Sequence, residues 1–479
     1  MASQPDHRIA SVIACILILV LVTAPLLLGG HSPLAWSINA TLIGFATTAF
    51  SGWHIVRRQP LPVPHSWLGG AFIALILVAF WIYLQSASWT PHFMHHRAWD
   101  SAARALNHEY RGAISLNPSE TRLALLRLVT TAAVFWLALQ LGRDPKWAYR
   151  VLYSIAISAA AYAVYGIFVE AYQLNSVLWR EKMSVSSNVV TATFVGPNSF
   201  AIYAILGLLT TLGLGFRALS ANRKTTSGLV GSRAIAAKSY YYTRTLLAYG
   251  TLVAPLLMAI VMSGSRAGLF FLIAIVFTIT FLGRMASNSR STRKLMTANH
   301  SFAIAVLLCC ALLVAVLNYG NFVVTSIQSL DGRELAQGQF LAERRAVWWI
   351  SIRALLDSPL VGFGYGAFAD TFAAYRDGSI SIYGRWMKAH NAYVEAAVGL
   401  GVPMALIFFY SVFVPAYRVA IGAITRRRHR VVPSIATAAC LAIGAHQLID
   451  FSIYPQGIAI VFAAILGVGT AQSWSSRKQ

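Results

Sequence analysis

The sequence predicts an all-α fold: a polytopic membrane helix bundle of about 12 transmembrane helices with a large, partly helical loop on the outer side. Three observations predict it. Only 11% of the 479 residues are charged and 57% are hydrophobic, against roughly 25% charged in a soluble domain. The apolar residues fall in long blocks: Ile9–Leu28 carries no charge, and about 20 such residues span a bilayer as helix. The basic residues crowd into alternate connections between those blocks.

Taken in order, Ile9–Leu28 is long for the apolar core of a secretory signal, roughly 7–15 residues, and reads as a retained span. Further blocks lie near 36–56, 66–85, 123–141, 151–169, 198–216, 246–265, 267–283, 301–318, 392–416, 431–449 and 456–472. Each suits a helix, since a membrane strand needs only about 10 alternating residues. With the N-terminus inside and sides alternating, the inner connections hold Arg57, Arg58, Arg143, Arg150, Arg217, Arg284, Arg418, Arg426, Arg427 and Arg428. That bias puts both termini in the cytoplasm. It also explains the net charge of +23 without nucleic acid; the run from Arg426 to Arg430 reads as a stop signal and lipid-headgroup contact. Residues 1–479 form a single integral membrane domain. Cys15, Cys309, Cys310 and Cys440 all fall in predicted spans, so packing is expected of them rather than disulfides or a thiolate metal site.

Three outer segments are long: about 86–121, 171–194 and 319–391. In the last, Glu334–Leu356 has helical character and ends before Asp357-Ser358-Pro359, where proline disfavours helix in the residue before it. Arg344 and Trp348 are four apart, as are Arg345 and Trp349, so each pair shares a face. Gly362-Phe363-Gly364-Tyr365-Gly366 predicts a tight turn, without the strand and helix of a nucleotide fingerprint. A second short helix is expected up to Tyr375. The chain then returns to the membrane at His390-Asn391.

Charges beside a membrane are costly unless paired or functional. Arg266, in the short Ser263–Gly268 turn, is either a snorkelling helix-end cation or a functional one. Arg344, or its neighbour Arg345, is either a cation–π and headgroup anchor or an anion ligand. His390 opens the tenth span. It is either an interfacial histidine bonding backbone or a general base toward a hydroxyl. His92, His95 and His96 read as a solvated loop rather than a metal site. His446 and Asp450, four apart, are expected to bond each other. Glu170, Glu395 and Asn198 are placed to line one outer cavity.

Four segments together resemble the O-antigen ligase and O-antigen polymerase superfamily of bacterial surface-glycan enzymes. They are Thr193–Ala201, Ser263–Gly268, Arg344 with Trp348 followed by Asp357–Gly364, and His390-Asn391 followed by Gly399-Leu400-Gly401. They span residues 193–404 in the family's order. The resemblance implies a multi-pass protein of the bacterial inner membrane, with 319–391 as the large periplasmic loop. It implies a metal-independent glycosyltransferase without a cofactor. The donor would be a glycan on undecaprenyl pyrophosphate. The acceptor would be a lipid A–core sugar (ligase) or a lipid-linked glycan (polymerase). Arg266 and Arg344 would bind the donor pyrophosphate and His390 would be catalytic, with Asn198, Arg345, Asn391, Glu395 and Asp450 in support. Membrane lipids are the other expected partners.

The alternative is a secondary transporter of a small anion or solute, but transporters gather polar groups near the midplane, often in inverted repeats. Here they gather at the outer rim, and no repeat is evident. A scaffold without catalysis is a third reading.

Overall fold

The computed structural model describes residues 7–182, 189–226, 232–265, 330–380 and 386–474. Arg266 and the blocks expected near 267–283 and 301–318 lie outside them. Each of the other expected blocks coincides with helix. α1 (His7–Thr23) and α2 (Pro33–Val56) are followed by α3 (Gly69–Gln85) and the short α4 (Ala98–Leu106). α5 (Pro118–Leu141) and α6 (Pro145–Ala171) lead through a two-stranded hairpin, Ser176–Val177 with Arg180–Glu181, to α7 (Pro197–Thr226) and α8 (Ser232–Met262). After α9 (Leu330–Asp357) and α10 (Phe368–Tyr375) come α11 (Ala392–Leu400), α12 (Val402–Thr425), α13 (Val431–His446) and α14 (Gln456–Ala471). Among the described residues, five helices are long and apolar enough to cross a membrane: 118–141, 145–171, 197–221, 239–262 and 402–425. Four further apolar helices, in α1, α3, α13 and α14, are shorter.

The helix starts are written locally. Ser32, Asn117 and Asp144 each accept a backbone N–H of the following first turn, at 3.2, 3.1 and 2.8 Å. A proline follows each cap, where its missing N–H costs nothing. α14 packs along α5 and α13, α7 against α6 and α8, and α3 against α12. Small residues permit the closest approach: a Cβ on Gly467 would meet Phe135 O at 2.6 Å, and one on Gly469 would meet Ala436 Cβ at 2.2 Å.

One expected span is two helices. The block 392–416 breaks at Gly401, whose φ of 77° ends α11; Pro403 then starts α12. Hydropathy runs unbroken through this point, so the sequence conceals it. The break receives the glycine turn. Phe363 N–H donates to Val398 O and Gly364 N–H to Gly399 O, both at 3.0 Å, and Val402 N–H donates to Pro359 O at 2.7 Å. Gln85, fully buried at the end of α3, donates to Val361 O and Gly399 O and accepts from Tyr365 N–H. Gly364 has φ of 103°, and a Cβ there would lie 2.2 Å from Ser115 Oγ. Gly364→Ala should therefore destabilise the protein by at least the ~1–3 kcal/mol of such a backbone state. A lower unfolding temperature in detergent checks this; an unchanged one removes the turn from the scaffold.

Candidate active site

The chain on either side of the glycine turn forms a small apolar core of its own, with Val347, Ile350 and Ala354 of α9 against Phe363, Phe368, Phe372, Ala389 and Val398. This core ties α9 to the segment that carries His390. Trp348 Nε1 donates to Ala389 O at 3.0 Å, so Trp348 faces inward rather than stacking on Arg344. Trp349 is exposed, as a membrane-interface anchor would be.

The Ala389 peptide is held from both ends. Its oxygen takes the Trp348 bond, and its N–H donates to Glu395 Oε2 at 3.1 Å. Glu395 is buried and accepts Lys388 Nζ at 2.8 Å, while Lys388 lies 3.8 Å from the centroid of the Tyr454 ring. Asn391 accepts the N–H groups of Tyr393 and Val394 and so caps α11. Between these fixed points His390 adopts φ of 52°, a left-handed state that non-glycine residues seldom occupy and that clusters at functional sites.

His390 Nδ1 stands 3.7 Å from Asp450 Oδ1, an electrostatic contact longer than a closed hydrogen bond. The imidazole packs edge-on to Phe451 and Trp386. Asp450 accepts Ser452 Oγ and Phe451 N–H, each at 2.8 Å. Burial alone would raise its carboxyl, but His390, the His446 charge, Ser452 and the Phe451 N–H outweigh it and hold the group below its ordinary value. The expected side-chain bond between His446 and Asp450 is replaced: Asp450 spends its oxygens elsewhere, and the four-residue spacing serves a backbone bond, Asp450 N–H to His446 O.

Arg344 reaches the same loop. Its Nη1 donates to Ile449 O at 3.3 Å. Burial lowers its pKa while the Asp450 charge works in the opposite direction. Asp450 thus faces both a guanidinium and an imidazole. Arg345, one position along α9, is exposed. Asn198 accepts Ser265 Oγ at 2.8 Å, which joins the Thr193–Ala201 segment to the residue before Arg266. Glu170 pairs with Lys182. His92 pairs with Asp100 and His95 with Thr90.

Several polar residues near this site had no signature in the sequence. His31, in the turn after α1, is pushed down to about 4 by burial, Lys388 and Arg127. Tyr365 is pushed up to about 12 by burial. Burial and Glu395 raise Tyr454 well above its ordinary value. A cavity of about 500 Å³ lies among α3, α5, α12, α13 and α14, bordered by Tyr365, Tyr393 and Tyr454. Each of these residues sits in an apolar stretch or a short turn, and no local spacing links them.

Residues 251–409 match a family model described as O-antigen ligase. The match covers the stretch that carries Arg266, Arg344, Glu395 and His390. No curated protein matches the chain.

Proposed function

We propose, with the O-antigen ligase match over residues 251–409 as the premise, that this protein transfers a glycan from undecaprenyl pyrophosphate to a sugar hydroxyl at the periplasmic face of the inner membrane. The observation that carries the reading is the convergence of Arg344 and His390 on the Asp450 carboxylate. The acceptor is a lipid A–core sugar or a second lipid-linked glycan. About 12 spans with both termini in the cytoplasm would place α9, α10 and the His390 segment on the periplasmic side.

In this mechanism His390 is the general base. Nδ1 faces Asp450, which leaves Nε2 to take the acceptor proton. The acceptor oxygen attacks the anomeric carbon as its O–H bond breaks. The bond from that carbon to the pyrophosphate oxygen breaks with it, and the electron pair leaves on the pyrophosphate. Arg344 and Arg266 meet that charge with charge-assisted hydrogen bonds, which strengthen as it develops. Asp450 orients the imidazole and stabilises its protonated form, as a buried carboxylate does in other base–orienter pairs. Asn391, Glu395 and Lys388 hold the His390 backbone and touch neither substrate.

Surface-glycan electrophoresis of a deletion strain tests the function. Lipid A–core without attached polymer identifies a ligase, and core bearing single repeat units identifies a polymerase. An unaltered glycan pattern overturns the proposal. In the complemented strain, Arg344→Ala should abolish most of the polymer. Arg344→Lys should also impair it, because lysine keeps the charge but loses the planar fork. Full polymer from both variants, at equal protein abundance, would remove Arg344 from the donor site.

A further inference from the structure

The cavity among α3, α5, α12, α13 and α14 plays no part in that mechanism. Its wall is mostly apolar, with Phe72, Leu128, Phe408 and Phe462 prominent. Among the polar groups that interrupt it are Arg127, Gln447 and Gln456. The Arg127 guanidinium lies 4.4 Å from the centroid of the Trp36 ring, and no carboxylate among the described residues forms an ion pair with it. Glu395 already pairs with Lys388. Gln447 and Gln456 are only 5% and 1% exposed.

Each glutamine has its oxygen engaged. Gln447 Oε1 accepts Ile453 N–H at 3.3 Å, and Gln456 Oε1 accepts Asn39 Nδ2 at 2.9 Å. Each is then left with a buried Nε2 that has no acceptor among the described residues. Buried donors of this kind are costly to leave unmade. A water molecule could satisfy an amide, but it would not neutralise a guanidinium set in an apolar wall. A cation and two spare amide donors, within a long apolar cavity, complement one kind of molecule: an amphiphile with an anionic, acceptor-rich head.

We infer that this cavity binds a lipid phosphate, with the phosphate held by Arg127, Gln447 and Gln456 and the chain lying along the apolar wall. The site is separate from the Arg344–Asp450–His390 set. It rests on the reading of this bundle as bilayer-embedded and not on the transfer chemistry. The same head chemistry has two sources, a prenyl phosphate or a bulk phospholipid.

The test is native mass spectrometry of the full-length protein in detergent, titrated with farnesyl phosphate, farnesol or phosphatidylglycerol. Farnesyl phosphate should bind saturably, and farnesol about tenfold or more weaker. Arg127→Gln should weaken farnesyl phosphate binding by about tenfold or more, and Arg127→Lys by less. The double variant Gln447→Glu/Gln456→Glu keeps both engaged oxygens, replaces the spare donors with acceptor oxygens and sets negative charge against the phosphate. It should lose binding to at least the same degree in protein that still unfolds cooperatively, and so decides the matter if Arg127→Gln fails to fold. Arg344→Ala should keep the binding. Phosphatidylglycerol that displaces the prenyl phosphate points to a bilayer lipid, and failure to displace it points to a prenyl phosphate; either supports a lipid-phosphate site. Equal binding of farnesol, or binding unchanged in the double variant, overturns the inference. Loss in Arg344→Ala alone also overturns it, by placing the phosphate at the outer site, and leaves the proposed transfer reaction standing.

Discussion

His390→Ala should slow glycan transfer by roughly 10²–10⁴-fold, the usual worth of a positioned general base, while donor binding survives. The scaffold that presents His390 does not depend on its ring. Ala389 is held by Trp348 and Glu395, Asn391 caps α11, and Ala392 N–H donates to Gln447 O at 3.0 Å. Alanine should therefore leave the loop in place and remove only the imidazole. His390→Gln sharpens the test, because an amide can bond an acceptor hydroxyl but cannot take its proton at neutral pH. Purified protein with lipid-linked donor and acceptor, followed through a single turnover, separates the two roles. If the glutamine variant turns over at a near-normal rate, His390 positions the acceptor and the base lies elsewhere. Glu395 would be a poor replacement, since its carboxylate is already closed in the ion pair with Lys388.

Much of the scaffold was legible because hydropathy and helix signals act locally. The apolar blocks mark the described helices, and the glycine spacing at 362–366 marks a turn in which Gly362, Gly364 and Gly366 all have positive φ. The expected helix at Glu334–Leu356 lies inside α9. The break at Gly401 was hidden because hydropathy registers composition and not backbone dihedrals. Of the site, Arg344 and His390 stood out by residue type and place. Asp450 was noticed for its spacing to His446, yet the cationic groups that act on it come from α9 and from the segment just before α11. Such contacts are set by packing. Arg127, Gln447 and Gln456 were silent for the same reason: a lone polar residue in an apolar helix reads alike whether it faces lipid, a neighbour or a cavity.

Asp450→Asn should lower the transfer rate by about 10²-fold or more, within the range of lost acid–base assistance. Asparagine keeps an oxygen able to accept Ser452 Oγ or the Phe451 N–H, so the loop's shape should persist while its charge is lost. What disappears is a negative charge that acts on both His390 and Arg344. Without it the protonated imidazole formed during transfer lacks its counter-ion. The pH dependence follows from the direction of the Asp450 shift, which is below the ordinary carboxylate value. A depressed folded pKa means that the ionised form, and the stability it brings, are complete above the unfolded value near ~4 and are lost only as pH falls through the lower folded value. Across about pH 5 to 8, where imidazoles titrate, Asp450 carries constant charge. The ratio of wild-type to Asp450→Asn activity at saturating donor should therefore show no change caused by titration of Asp450 itself in that window. Any acid limb that it shares with the variant belongs to another group. If the variant instead matches the wild type at every pH, with unfolding temperatures equal, the charge of Asp450 has no part in catalysis and His390 acts without a carboxylate partner.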